Sequence, residues 1–119
     1  MITHPTAGEL REALAQVEAG PSGDARTTFL ARVADNARAT LEREAALGPA
    51  AEAAALGRLR ALLGLDGDFP TLNAELCARL RDGRLPPLDP ALLAHLKAGA
   101  IDQIAIDQPG YSGLEALGD

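Results

Sequence analysis

Alanine and leucine make up most of the apolar content of this sequence of 119 residues. The chain has 25 alanines and 20 leucines but only six valines and isoleucines taken together. It is therefore poor in the β-branched residues that sheets favour and rich in the two best helix formers. We expect an all-α protein, and the length suits one domain with one hydrophobic core over residues 1–119.

Capping signals divide the chain into five predicted helices. Thr6 and Glu9 have the spacing of a capping box, and Gly48 followed by Pro49 fits the end of one helix and the first turn of the next. Three aspartates fit N-cap positions after predicted breaks: Asp24, which follows the Gly20–Gly23 connector, Asp68 and Asp89. We predict a compact bundle with a short C-terminal tail and with helices at approximately 6–19, 25–47, 50–63, 69–82 and 90–107.

Helical spacing of apolar residues predicts which side of each helix is buried. Leu72 and Leu76 are expected in the core from the fourth helix. For the second helix the predicted stripe is Phe29, Leu30, Val33, Ala37 and Leu41. For the fifth helix it is Leu92, Leu93, Leu96, Ala100, Ile101 and Ile104.

Charge and sequence patterning narrow the classes of partner. A formal net charge of −6 and a pI near 4.8 argue against a nucleic-acid-binding protein, which needs a concentrated basic face. No stretch has the length of apolar sequence that a membrane span needs, and the N-terminus lacks the pattern of a signal peptide. We therefore expect a cytoplasmic protein that binds neither nucleic acid nor membrane.

Motifs for catalysis or metal binding are missing from the sequence. There is no glycine-rich phosphate loop and no kinase signature. Asp66 and Asp68 resemble the start of a calcium loop, but the later ligands do not follow, so a turn and an N-cap fit better. His95 lies beside Leu92 and Leu96 and is expected to be an exposed or interface imidazole. We expect no catalytic residue, no metal and no cofactor bound by this chain.

Several composite patterns resemble a known family. They are Phe29–Ala37, Leu47–Glu52, Ala61–Gly64, Gly67–Asp68 with Leu72–Asn73, Leu92–Leu96 and Ile104–Pro109 leading to Tyr111–Gly113. The chain thus resembles, over about residues 24–114, a bacterial family of small helical proteins encoded beside aminoglycoside-phosphotransferase-like kinases and acyl-CoA dehydrogenases. It departs from the family pattern in a shorter connector at Gly20–Gly23 and in Gly110.

The resemblance implies a noncatalytic accessory subunit. Its partner would be an aminoglycoside-phosphotransferase-like kinase that carries ATP and magnesium and phosphorylates 4-hydroxyacyl-CoA, as in the hydroxyacyl-CoA kinase of levulinate catabolism. Arginine, tyrosine and exposed polar groups are common at interfaces. The candidate interface residues are Arg32, Asn36, Asp66, Asp68, Asn73, His95 and Tyr111.

Other functions fit the same residues. Asn36 could equally occupy a plain surface position. The alanine-rich segment at 50–55 could leave space beside the leucines, and this favours, as an alternative, a homodimer or other homo-oligomeric module that binds an acyl or acyl-CoA ligand in its own core. A small enzyme that uses His95 as its acid–base group is a third hypothesis.

Overall fold

The computed structural model describes residues 5–20 and 25–118. It contains five helices and, within those residues, no strand, so the all-α prediction is confirmed. The helices are α1 (Ala7–Glu18), α2 (Ala25–Leu63), α3 (Phe69–Arg81), α4 (Pro90–Asp107) and α5 (Leu114–Gly118). Asp24 and positions 21–23 of the predicted connector lie outside the described residues.

Side-chain caps fix the first turns of three helices. The backbone N–H of Glu9 donates to the Thr6 hydroxyl at 3.2 Å at the start of α1. Asp68 and Asp89 accept from the third residue after each, Thr71 at 2.9 Å and Leu92 at 3.0 Å. These predicted N-caps are confirmed, because each carboxylate satisfies a backbone N–H that has no partner within the helix.

The predicted break at Gly48 and Pro49 is wrong, because α2 continues through both residues as one helix of 39 residues. Positive φ angles among the described glycines occur at Gly64, Gly67 and Gly83, so Gly48 does not take the left-handed conformation of a helix cap. Alanines flank the pair on both sides and favour helix. The helix propensity of these alanines and the burial of Ala51 and Ala55 offset the cost of the backbone hydrogen bond that Pro49 cannot make.

The chain divides into two compact units, Met1–Ala46 and Leu47–Asp119. In the first unit, Leu14 of α1 and Ala34 of α2 are buried, and Glu18 forms an ion pair with Arg38 across the two helices. The predicted stripe of the second helix is wrong in part: Phe29 and Val33 are exposed. Ala34 lies at a neighbouring angle on the helix and is the buried residue there.

Leucines from three helices form the core of the Leu47–Asp119 unit. The cluster consists of Leu59 and Leu63 from α2, Leu72 and Leu76 from α3, and Leu92 from α4. All five are at most 6% exposed, which confirms that Leu72, Leu76 and Leu92 are core residues. Burial of this many leucine side chains is the main force that packs the three helices together.

Arginines close the turn between α2 and α3. Arg79 donates to the carbonyl of Leu63, the last residue of α2, at 3.1 Å, and to Glu75 at 2.8 Å. Arg60 donates to the carbonyl of Gly67 at 3.2 Å. The bonds to Leu63 and Gly67 give hydrogen-bond donors to carbonyls that have no partner within the helix or the turn.

The C-terminal tail contains the short helix α5, which the sequence did not predict. Tyr111 and Gly113 form the turn before it, and the Tyr111 ring lies directly against the Gly113 backbone, where a Cβ would be only 2.7 Å from the ring. None of the helices in the described ranges is both long enough and apolar enough to span a bilayer.

Candidate functional site

Helix α4 is apolar on its outer side as well as on its core side. Leu93 and Leu96 are 44% and 51% exposed, Ala100 is exposed and Ile104 is half-buried. Their spacing places all four along one side of the helix, which we call the outer stripe. The prediction that Leu93 and Leu96 lie in the core is therefore wrong, since the core side of α4 carries Leu92, His95 and Ile106 instead.

A third side of α4 forms a groove with the second half of α2, within the Leu47–Asp119 unit. The groove has a volume of about 450 Å³. Its apolar walls include Leu47, Ala50 and Ala54 on α2 and Ala98, Ile101 and Ala105 on α4. The alanines leave this space because their side chains are too short to fill the gap between the two helices. We call this feature the α2–α4 groove.

Two charged side chains, Arg58 and Asp102, also line the α2–α4 groove. The Nε–H of Arg58 donates to Nδ1 of His95 at 3.3 Å, and Nη2 of Arg58 lies 3.9 Å from Oδ2 of Asp102. Nη2 is buried and has no hydrogen-bond partner among the described residues. Arg58 thus contacts Asp102 at the groove and His95 on the core side of α4.

His95 is 8% exposed, so the expectation of an exposed imidazole is wrong. Burial lowers its pKa below the ordinary value, and the nearby positive charge of Arg58 lowers it further. Because Nδ1 accepts from Arg58, it carries no proton, and the imidazole is neutral with its proton on Nε2.

Two of the predicted interface residues lie in the first unit. Arg32 and Asn36 are both exposed and are four residues apart on α2, so they share one side of that helix. The Asn36 carbonyl accepts from the Thr40 hydroxyl at 2.9 Å, an ordinary contact within a helix. Both remain candidates for contact with a partner.

The two aspartates before α3, Asp66 and Asp68, stabilise the turn and the start of the helix. Asp66 forms an ion pair with Arg60, with 3.0 Å between Arg60 Nε and Asp66 Oδ1, and accepts from the backbone N–H of Gly67 at 3.1 Å. Hydrogen bonds from the Thr71 hydroxyl and backbone N–H hold the pKa of Asp68 below its ordinary value. The interpretation as a turn with an N-cap is confirmed.

The other two predicted residues of the second unit, Asn73 and Tyr111, are exposed. Tyr111 is 49% exposed, so its ring is not buried, and it contacts Gly113 within the tail. Both are accessible to a partner and remain candidates.

No pattern in the sequence indicated the polar residues of the groove. Arg58 and His95 are 37 positions apart in the chain, so no local spacing links them. Arg58 lies among alanines and leucines of a helix that carries several arginines, and nothing distinguishes it there. Among the described residues no three His, Cys, Asp or Glu side chains are grouped as a metal site would require.

One comparison with known proteins identifies the family. A family described as a domain of unknown function, DUF6285, matches residues 21–111, and the chain belongs to this family. No curated protein and no solved structure matches the chain.

Proposed function

We propose that this DUF6285 protein is a noncatalytic accessory subunit that binds and supports a phosphotransferase-type kinase acting on 4-hydroxyacyl-CoA in the catabolism of short-chain hydroxy and keto acids. The kinase supplies ATP, magnesium and the catalytic base. The resemblance of the sequence to proteins encoded beside such kinases supports this choice of partner.

The observation that carries the proposal is the outer stripe of α4. A helix on the surface of a domain ordinarily has one apolar side and one polar side. Helix α4 instead exposes Leu93 and Leu96 beside each other, although a different side of the helix is already buried in the core. Contiguous exposed apolar surface of this kind favours a protein-binding function.

The stripe suits a helix-in-groove or helix-on-helix contact. Its residues follow the i, i+3, i+7 spacing by which one helix presents anchors to a partner. Lys97 lies next to it and offers a positive charge at its edge. Arg32, Asn36, Asn73 and Tyr111 remain further candidates for the contact.

The experiment is co-expression with the aminoglycoside-phosphotransferase-like kinase, followed by molar mass from light scattering. We expect a stable hetero-complex for the wild-type chain and its loss for the double variant Leu93→Gln, Leu96→Gln. The matched control is Leu65→Gln, because Leu65 is 43% exposed, as Leu93 is 44% exposed, but lies in the turn before α3. This control should keep the complex.

Two results would contradict the proposed partner, and a third would contradict the role of the outer stripe. If the wild-type chain and the kinase elute as separate species at micromolar concentrations, the kinase is not the partner. If the chain alone is a homo-oligomer that the double variant dissociates, the outer stripe pairs two copies of this chain instead. A double variant that still binds the kinase at full strength would place the contact elsewhere on the molecule.

A further inference from the structure

The α2–α4 groove has the size and lining of a small-ligand site. Its volume of about 450 Å³ falls within the range of roughly 300–1,000 Å³ that is usual for such sites. From Leu47 to Arg58 helix α2 rises about 16 Å, which sets the length of the groove. Apolar walls with one charged pair, Arg58 and Asp102, favour an aliphatic chain that carries a single polar group.

Within this charged pair, the guanidinium of Arg58 is incompletely hydrogen-bonded. Of its five N–H donors, the Nε–H bonds to His95. Nη2 has no hydrogen-bond partner within the part of the chain that the structure describes, and Asp102 at 3.9 Å is beyond hydrogen-bond distance. Nη2 itself has almost no accessible surface, but Arg58 lines the groove with 28% of its side-chain surface exposed, so an acceptor in the groove would be stabilised by the accessible part of the guanidinium.

The charge balance decides what kind of acceptor fits. Arg58 and Asp102 already compensate each other, and His95 is neutral while it accepts from Arg58. A carboxylate placed beside Arg58 would also lie near the Asp102 carboxylate, and this repulsion would weaken its binding. A neutral carbonyl oxygen accepts the same hydrogen bond and adds no charge.

We propose that the α2–α4 groove binds a short aliphatic acyl group as a thioester or amide, whose neutral carbonyl oxygen accepts a hydrogen bond from Arg58. The chain of the ligand lies along the alanines of α2 and α4. The proposal concerns this chain's own residues and does not depend on the kinase partner, since the groove and the outer stripe are different sides of α4.

The test is a titration of the ¹⁵N-labelled full-length chain, followed by amide chemical shifts. The neutral probes are hexanoyl-N-acetylcysteamine, a thioester, and hexanamide, and the charged comparison is hexanoate. We expect saturable shifts at Ala50, Ala54 and Ala98 with the neutral probes, with dissociation constants near about 1 mM. Hexanoate should bind at least about tenfold more weakly because of the repulsion from Asp102.

Variants separate the groove from the rest of the surface. Ala54→Leu fills the groove and should abolish the saturable shifts. Ala53→Leu is the matched control, since Ala53 is exposed on the same helix and does not line the groove, and it should bind as the wild type does. Arg58→Lys keeps the charge but loses the planar donor group, and hexanamide should then bind about tenfold more weakly.

Any of four results would overturn the inference. The first is the absence of saturable shifts with both neutral probes at millimolar concentration, and the second is equal affinity for hexanoate and hexanamide. The third is that Ala53→Leu and Ala54→Leu weaken the binding of the neutral probes equally. The fourth is that the amide shifts of the groove depend on protein concentration when no probe is present. The last result would assign the groove to a second copy of the chain. Kinase binding by the double variant in the outer stripe is a separate measurement, so the two proposals can fail independently.

Discussion

Truncation of two leucines to alanine distinguishes the core from the outer stripe. Leu76 is 3% exposed within the leucine cluster, whereas Leu96 is 51% exposed on α4. Leu→Ala removes about three carbon groups, each worth roughly 0.8 kcal/mol when buried, or about 2.4 kcal/mol in all. The cavity left at Leu76 raises the cost, and we expect a loss of about 2–5 kcal/mol for Leu76→Ala.

For Leu96→Ala we expect a change within about 0.5 kcal/mol, because half of the side chain stays in water and alanine is a better helix former. The assay is urea unfolding followed by the helical circular dichroism signal, with the midpoint compared at unchanged slope. A cost below about 0.5 kcal/mol for Leu76→Ala, or above about 2 kcal/mol for Leu96→Ala, would show that the buried side of the helices is assigned wrongly.

Two further predictions concern Pro49 and His95. Pro49→Ala restores a backbone hydrogen bond inside α2 and should stabilise the protein by up to about 3 kcal/mol. Pro90→Ala, at the first turn of α4, is the control and should change the stability little. Equal effects of the two substitutions in urea unfolding would show that α2 is not continuous. The folded-state pKa of His95 is lowered, so the unfolded chain binds more protons, and stability should be complete above about pH 6.5 and fall as the pH drops below that value. His95→Gln should flatten the dependence of stability on pH below about pH 6.5. An unchanged dependence would show that the lowered pKa of His95 is not its cause.

Helix ends were predictable because their causes are local. Asp68 and Asp89 cap their helices through bonds to residues three positions away, and such spacing is visible in the sequence. Gly48 and Pro49 were misleading for the same reason. The pair fits a junction between helices, but the alanines around it and the packing of the Leu47–Asp119 unit favour a continuous helix, and a local pattern cannot weigh those contributions.

The orientation of α4 was not predictable from apolar spacing. Leucine, alanine and isoleucine occur on every side of this helix, so its hydrophobic pattern does not identify a core side. Packing against Leu59 and Leu72 places Leu92 and the imidazole of His95 inside and leaves Leu96 outside. The groove was anticipated only as space beside the alanines, because its polar residues come from positions far apart in the chain.

The activity of the kinase with and without this chain tests the proposed function most directly. The purified phosphotransferase would be assayed on a 4-hydroxyacyl-CoA alone, with the wild-type chain, and with the double variant Leu93→Gln, Leu96→Gln. We expect the wild-type chain to raise the rate of phosphorylation or the lifetime of the active enzyme, and the double variant to do neither. Full and equally durable activity of the kinase alone would contradict the role of an accessory subunit.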